Sequence, residues 1–350
     1  MSERRAYLYQ GVGETVGVVT LDGRPERLVA RWDAPNWGDD PLDAEGVRGV
    51  ARVKKIERAF GSAFVALPGG SDVLLGLRAD MPKLVEGQLV EIEIRTPSRR
   101  DKSAVARFIA EADGEPRVLE QAPTIEELLR LWVKSGSPTQ GLAALEAVEA
   151  AEAEALMTVF ALPGGGDVSI ESTRALVAID VDLGNREGDS KRAARAANMA
   201  AFTTASRVLR LKGLGGLVVF DLVGRGHDGP ALTTAARNAF AIDNPGVGIG
   251  PISKFGALEM TVPRRAAPIL DRLLDESSGL SARAGALRLA RAFEREGRAD
   301  PGGKLIGRCS PAVAEAFAAL DAALADKVGR RFALAVVADW PNDRLEVSAA

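Results

Sequence analysis

The sequence holds one cysteine, Cys309, and one histidine, His227. One thiol cannot close an intramolecular disulfide, and a single Cys/His pair falls short of the ligands a structural zinc needs, so no zinc is expected. Serine and cysteine nucleophiles normally lean on an imidazole, so a histidine-based triad is excluded unless His227 is the base. No apolar run approaches bilayer length, and the opening MSERRAYLYQGVGE lacks the apolar core of a signal peptide, which makes the cytoplasm the expected location. Strong net charge is missing too: at −3, affinity for nucleic acid would have to come from local clusters of Lys and Arg. Carboxylates and a metal ion are the catalytic groups left in supply.

What is present is a balance of apolar and charged residues over 350 positions, enough for more than one core. Residues 1–45 read as a two-stranded start, Thr15–Val19 and Arg27–Ala30 around an Asp22-Gly23 turn, followed by a Pro/Asp/Gly-rich loop or boundary. Five short strands in 46–112 suit an OB-type barrel. In 113–157 the spacing predicts a helix after Thr124, with Glu127 completing a capping box, and an Ala/Glu-rich connecting helix with a solvated acidic face. Residues 158–265 give strands ending at Ser172 and Asp180, a helix over 189–211 stopped by Gly213, and the apolar run Leu217–Phe220, which reads as a strand buried on both faces. A helix near 230–242 and a strand near 247–252 follow. Residues 266–350 read as helices over 264–297 and 310–328 with two late strands, a small α/β tail. The expected fold is thus multidomain α+β and α/β: an OB-fold barrel, an α/β core and a small C-terminal α/β domain.

The strand, helix and strand of the core form a βαβ unit, which sets two parallel strands in one sheet with Asp180 and Asp221 at their carboxyl ends. On adjacent strands the two carboxylates would reach one ion. Magnesium commonly takes one or two carboxylates and fills its remaining positions with water and phosphate oxygens. Asp182 would share their side and supply a third oxygen or orient water. The same aspartates would also suit helix capping or simple solvation. His227 reads as an exposed loop residue, with a catalytic helper role as the less favoured alternative. The glycine-rich GLGG and PGVGIG lack the Lys-Ser/Thr pair of a nucleotide-binding loop.

The run LPGGGDVSIESTRALVAIDVDLGNREGD, then Asn198, LRLKGLGGLVVFD and ISKFGALEM, resembles the catalytic core of the ribonuclease E/G family in order, spacing and residue type. The resemblance implies a magnesium-dependent endoribonuclease, with manganese as a substitute, cutting single-stranded RNA to leave a 5′ phosphate and a 3′ hydroxyl. Asp180 and Asp221 would hold the metal, Asp182 and Asn198 would orient water or metal, and Lys254 would stand near the scissile phosphate. GVARVKKIERAFGSAFVALPG resembles the family's RNA-binding barrel, with Phe64 as a stacking aromatic and Leu74 or Leu75 where a second would be. Phe60 reads as barrel core. Arg48, Arg52, Lys54, Lys55 and Arg58, with Arg95, Arg99, Arg100, Lys102 and Arg107, supply the cations of this region, and phosphates are their expected partners.

Departures from the family pattern are also legible. The second metal-site residue is Asp182 where asparagine is usual, and Gly224 and Arg225 stand where an acid tends to follow Asp221. The module that reads an RNA 5′ end is absent between barrel and core, and no zinc-link cysteines occur, so an oligomer would not form by that link. Cys309 reads as a buried small residue. The alternative is a non-catalytic RNA-binding protein on this scaffold.

Overall fold

The computed structural model describes residues 3–35, 37, 41–69, 72–99, 102–134, 136–186 and 190–349; Arg100, one of the expected RNA contacts, lies outside them. The chain gathers into two compact units, one of 1–23, 29–149 and 268–350, the other of 24–28 and 150–267.

The first unit opens with strands β1 (Arg4–Gln10), β2 (Glu14–Leu21) and β3 (Arg24–Trp32), in that order in one sheet. The sequence reading missed β1, whose charged start, Arg4 and Arg5, hides the buried pair Leu8 and Tyr9. Asp22 and Gly23 both take positive φ at the β2–β3 turn, as a tight hairpin requires. Next come β4 (Arg48–Glu57), β5 (Ser62–Ala66), β6 (Asp72–Gly76), β7 (Leu89–Thr96), β8 (Val105–Glu111) and β9 (Arg117–Glu120). Strands β4 to β8 close in the order β5-β6-β8-β7-β4-β5, with β6 and β8 parallel. This is a closed five-stranded barrel of the OB kind, filled by Val53, Val65, Leu75, Ile92 and Ile94.

Helix α1 (Ile125–Val133) starts on a complete capping box between Thr124 and Glu127, and lays Ile125, Leu129 and Val133 on Leu8 and Val19. Helix α2 (Leu142–Leu156) follows. Its acidic side is not simply solvated: Glu152 is buried and Glu154 pairs with Arg207 at 2.6 Å.

The second unit is built on a six-stranded sheet, one long helix and a shorter one. Its elements are β10 (Val159–Ala161), β11 (Asp167–Ser172), β12 (Val177–Asp182), α3 (Ser190–Lys212), β13 (Gly216–Asp221), α4 (Gly229–Ala239), β14 (Gly248–Ile252) and β15 (Ala257–Val262). The strand order is β10-β11-β12-β13-β15-β14. The sequence reading gave no strand at β15, although it pairs with β13 along its whole length. Apolar residues on one face, among them Ile170, Ile179, Val218, Phe220, Leu258 and Met260, pack against Ala197, Ala201, Phe202, Ala205 and Val208 of α3. Phe202 and Phe220 meet edge to face at 5.0 Å between ring centres.

The opposite face of this sheet is not covered by α3, and that corrects the expectation for Leu217–Phe220. Val218 and Phe220 are fully buried, but Leu217 is 40% exposed, so the strand is buried on one face only. Short segment 24–28 joins this unit through Glu26, fully buried and 3.1 Å from Arg210.

The remainder of the first unit comprises α5 (Leu270–Leu273), α6 (Ala282–Ala299), β16 (Leu305–Cys309), α7 (Pro311–Phe317), α8 (Asp321–Val328), β17 (Phe332–Val336) and β18 (Glu346–Ala349). The helical segments expected over 264–297 are α5 and α6, and β16, unread in the sequence, is the centre of the β17-β16-β18 sheet. Cys309 ends that strand fully buried, and burial pushes its thiol up. The loop read as a boundary is anchored here: Trp32, Ala34 and Trp37 pack with Phe293, Phe317 and Leu320. Beneath them Arg291 grips buried Glu14 with two hydrogen bonds of 2.5 and 2.7 Å.

Candidate functional site

Strands β12 and β13 run parallel, and their register sets Asp180 opposite Asp221. Adjacent strands lie roughly 5 Å apart, and residues in register project to the same face. Here that face is the open one: Val177, Ile179 and Val181 enter the core while Asp180 and Asp182 are exposed, as is Asp221 after buried Phe220. Among the described residues none of the three is ion-paired. Two unpaired carboxylates side by side repel one another until a cation comes between them, which is the chemistry of a magnesium site with water and phosphate completing the shell. No three His, Cys, Asp or Glu side chains among the described residues gather into a metal-holding group, so the fit is to a two-carboxylate site.

Asp182 is occupied differently. Its Oδ1 accepts the Gly184 N–H at 2.5 Å, closing the turn that leaves β12. That turn is held from the other side by Arg186, whose guanidinium donates to the carbonyls of Pro163 and Gly165 at 2.7 Å each. Gly166, at φ 75°, allows the two loops to touch; a Cβ there would lie 2.2 Å from the Asp182 carbonyl oxygen.

Asn198 does not face the carboxylates with a free amide. It is fully buried on α3, and its side chain is spent on one residue: Nδ2 donates to the Val223 carbonyl at 3.0 Å and Oδ1 accepts the Val223 N–H at 3.1 Å. Asn198 is therefore a positioning residue, clamping the loop two residues beyond Asp221, rather than the group that orients water. The close approach explains Gly224 as well. At φ 97° its Cβ would lie 2.8 Å from the Ala194 Cβ, so no acid fits that position in this conformation.

The β14–β15 turn carries Lys254 to the same sheet edge. Asp221 stands in register with Ala257, and the Leu222 N–H donates to the Gly256 carbonyl at 3.3 Å. Ser253 organises the turn by accepting the N–H groups of Phe255 and Ala257, both at 3.2 Å. Lys254 is exposed, with Nζ 4.9 Å from the centre of the Phe255 ring. His227 packs against this turn and is half-buried, contrary to the exposed loop residue expected; its Nε2 is enclosed and has no hydrogen-bond partner among the described residues.

Sequence reasoning missed the groove beside these residues, an open cavity of about 1010 Å³ lined by the loop after Asp221, one face of α4 and the β14–β15 turn. The signal was available in part, since Pro230, Thr233, Thr234 and Arg237 recur at helical spacing and all line it.

On the barrel, Phe64 is half-buried on the outer face, in register with Lys55 on one side and Leu74 on the other, while Leu75 points into the core. Phe60 is not core: it is 80% exposed on the short 3-10 turn between β4 and β5. Several expected RNA contacts are already neutralised. Lys54 pairs with Asp72 at 2.6 Å, Lys55 with Glu57, and Arg48 with Glu91. Glu93 takes both Arg95 and Arg107, and these two guanidiniums hold its carboxyl below the usual range against the opposing effect of burial. Among the described residues Arg58, Arg99 and Lys102 have no carboxylate partner.

A sequence profile of the ribonuclease E/G family matches residues 108–265, from the last barrel strand to the end of the six-stranded sheet. The chain is similar to ribonuclease E of Escherichia coli, 38% identical over 107 residues, which cover 29% of this chain and 10% of that protein. Ribonuclease E of Buchnera aphidicola is 35% identical over 113 residues, covering 31% and 12%. A chloroplastic ribonuclease E/G-like protein of Arabidopsis thaliana is 30% identical over 121 residues, covering 33% and 12%. The similarity thus spans about a tenth of the length of these relatives. The segment that matches the ribonuclease E/G family, residues 108–265, carries both aspartates and their clamp.

Proposed function

We propose that the chain is a metal-dependent endoribonuclease of the cytoplasm that hydrolyses internal phosphodiesters of single-stranded RNA. The observation that supports this most is the in-register pair Asp180 and Asp221, exposed and unpaired on adjacent parallel strands inside the family segment. These two residues would hold magnesium, or manganese in its place, which when bound supplies charge neutralisation at the phosphate and a more acidic water. Asn198 fixes the loop that follows Asp221, and Lys254 adds a cation where negative charge develops on the phosphate. Phe64 and the unpaired barrel cations would hold single-stranded RNA by stacking and phosphate contact.

The engagement of Asp182 with Gly184 favours a second reading, RNA binding without cutting. The test is cleavage of a labelled AU-rich single strand by wild type, Asp180→Asn and Asp221→Asn, with magnesium and with chelator. Internal cuts that need metal and fall by at least about a hundredfold in either variant support the nuclease. Binding by all three proteins with cutting by none would move the assignment to the second reading.

A further inference from the structure

The groove beside the Asp221 edge is lined by positive charge. The protein carries a net −3, yet among the described residues no Asp or Glu lines this cavity, while Arg225, Arg237 and Lys254 all do. Among the described residues none of the three has a carboxylate partner. Exposed cations without partners keep their full attraction for an incoming anion, whereas the barrel's Lys54 and Lys55 are partly cancelled by Asp72 and Glu57.

Its shape suits a polymer better than a lone ion. The cavity is open, and at about 1010 Å³ it stands at the upper end of pockets that hold whole small molecules, roughly 300–1,000 Å³. Hydroxyls of Thr233 and Ser253 and the backbone of Gly226 and Gly250 also line it, groups that bond phosphate and sugar oxygens without regard to base. At its rim Phe255 is 83% exposed, an aromatic face offered to solvent with Lys254 beside it. Such a ring is the kind of platform on which an unpaired base stacks.

We infer that this groove binds the stretch of single-stranded RNA next to the scissile phosphate, with Arg225 and Arg237 on backbone phosphates and Phe255 under a base. The inference rests on the nuclease reading for the identity of the RNA as substrate, but the binding it asserts is measurable without cutting. Arg225 and Arg237 are exposed, so replacing them leaves the core intact.

The experiment titrates a labelled 20-nucleotide single strand against the full chain and its Arg225→Gln/Arg237→Gln variant, with chelator, over a salt series. Cleavage of the same RNA with magnesium is followed in parallel. Each phosphate contact contributes about 0.7 to the slope of log affinity against log salt for single strands, so the double variant should lose about 1.4 from that slope. Phe255→Ala should weaken binding at least about fivefold with the slope unchanged. Arg225→Lys/Arg237→Lys should restore the slope. Wild-type slope and affinity in the double variant, with cutting intact, would overturn the groove and leave the nuclease standing. A wild type that binds but does not cut would overturn the nuclease, and the groove would then be judged on the slope alone.

Discussion

Asn198→Ala isolates the contribution of the clamp behind Asp221. Truncation removes both hydrogen bonds to Val223, at 3.0 and 3.1 Å, and leaves a backbone N–H and a carbonyl without partners against α3. Each buried polar group left unsatisfied costs about 1–3 kcal/mol. Val223 is only half-buried, so a combined loss of about 2–4 kcal/mol is the reasonable size. That loss lowers the free energy of opening for the loop, and exchange protection of amides near 221–228 should fall by about thirtyfold to several hundredfold. Hydrogen exchange followed by mass spectrometry reads this directly. The cutting rate should fall by at least about tenfold, since the loop that borders Asp221 would no longer be fixed. Asn198→Asp should do no better, because its carboxylate would face the Val223 carbonyl with no proton to donate. Unchanged exchange over 221–228 together with a rate within twofold of wild type would refute the clamp. Unchanged exchange with weakened metal binding would instead make Asn198 a ligand.

Gly256→Ala should lower the melting temperature by roughly 2–8 °C, because the residue sits at φ 92° and its Cβ would meet His227 Nε2 at 3.3 Å; adding His227→Ala should recover only part of the loss. Burial pulls the Lys212 ammonium down to about 8. Unfolding therefore takes up a proton between about pH 8 and the usual 10.5, so stability should rise with pH across that window, by up to about 3 kcal/mol relative to Lys212→Met in urea unfolding. On the barrel, Arg99→Gln/Lys102→Gln should reduce the salt slope of RNA binding by about 1.4, while Lys54→Gln/Lys55→Gln should reduce it by less than half as much. Equal effects would mean that the Asp72 and Glu57 pairings do not matter.

The barrel and the parallel pair were legible because their signals are local. Each barrel strand alternates faces over five to ten residues, and the capping box at Thr124 and Glu127 announces α1 by itself. The Asp180 and Asp221 register follows from a strand, helix and strand in sequence. What stayed hidden depends on partners distant in the chain. Strand β16 is Leu305–Cys309, five residues with an arginine and a glycine, and becomes a strand only because β17 and β18 flank it. Leu217 and Val219 look no different from Val218 and Phe220 in the sequence, and which pair meets α3 is decided by the pleat of the sheet. Phe60 shows the reverse case. An aromatic beside a barrel strand is ordinarily core, but the 3-10 turn at Arg58–Phe60 carries this ring out into solvent.

The charges follow the same logic. A list of barrel cations read from the sequence counts Lys54, Lys55, Arg48, Arg95 and Arg107 as phosphate contacts, whereas ion pairing gives each an acid, across strands for Lys54, Arg48 and Arg107 and along the strand for Lys55 and Arg95. Pairing of this kind is stabilising by little in an exposed site, yet it lowers the attraction available to a phosphate. Arg225 and Arg237 were passed over because neither belongs to a cluster in sequence. They come together through the fold, one on the loop after Asp221 and one on α4, two helical turns from Pro230. A cation that meets no acid in the folded chain is a better guide to the path of a polyanion than a run of cations in the sequence, and by that measure Arg225, Arg237 and Lys254 mark the path beside Asp221 as Arg58, Arg99 and Lys102 mark it on the barrel.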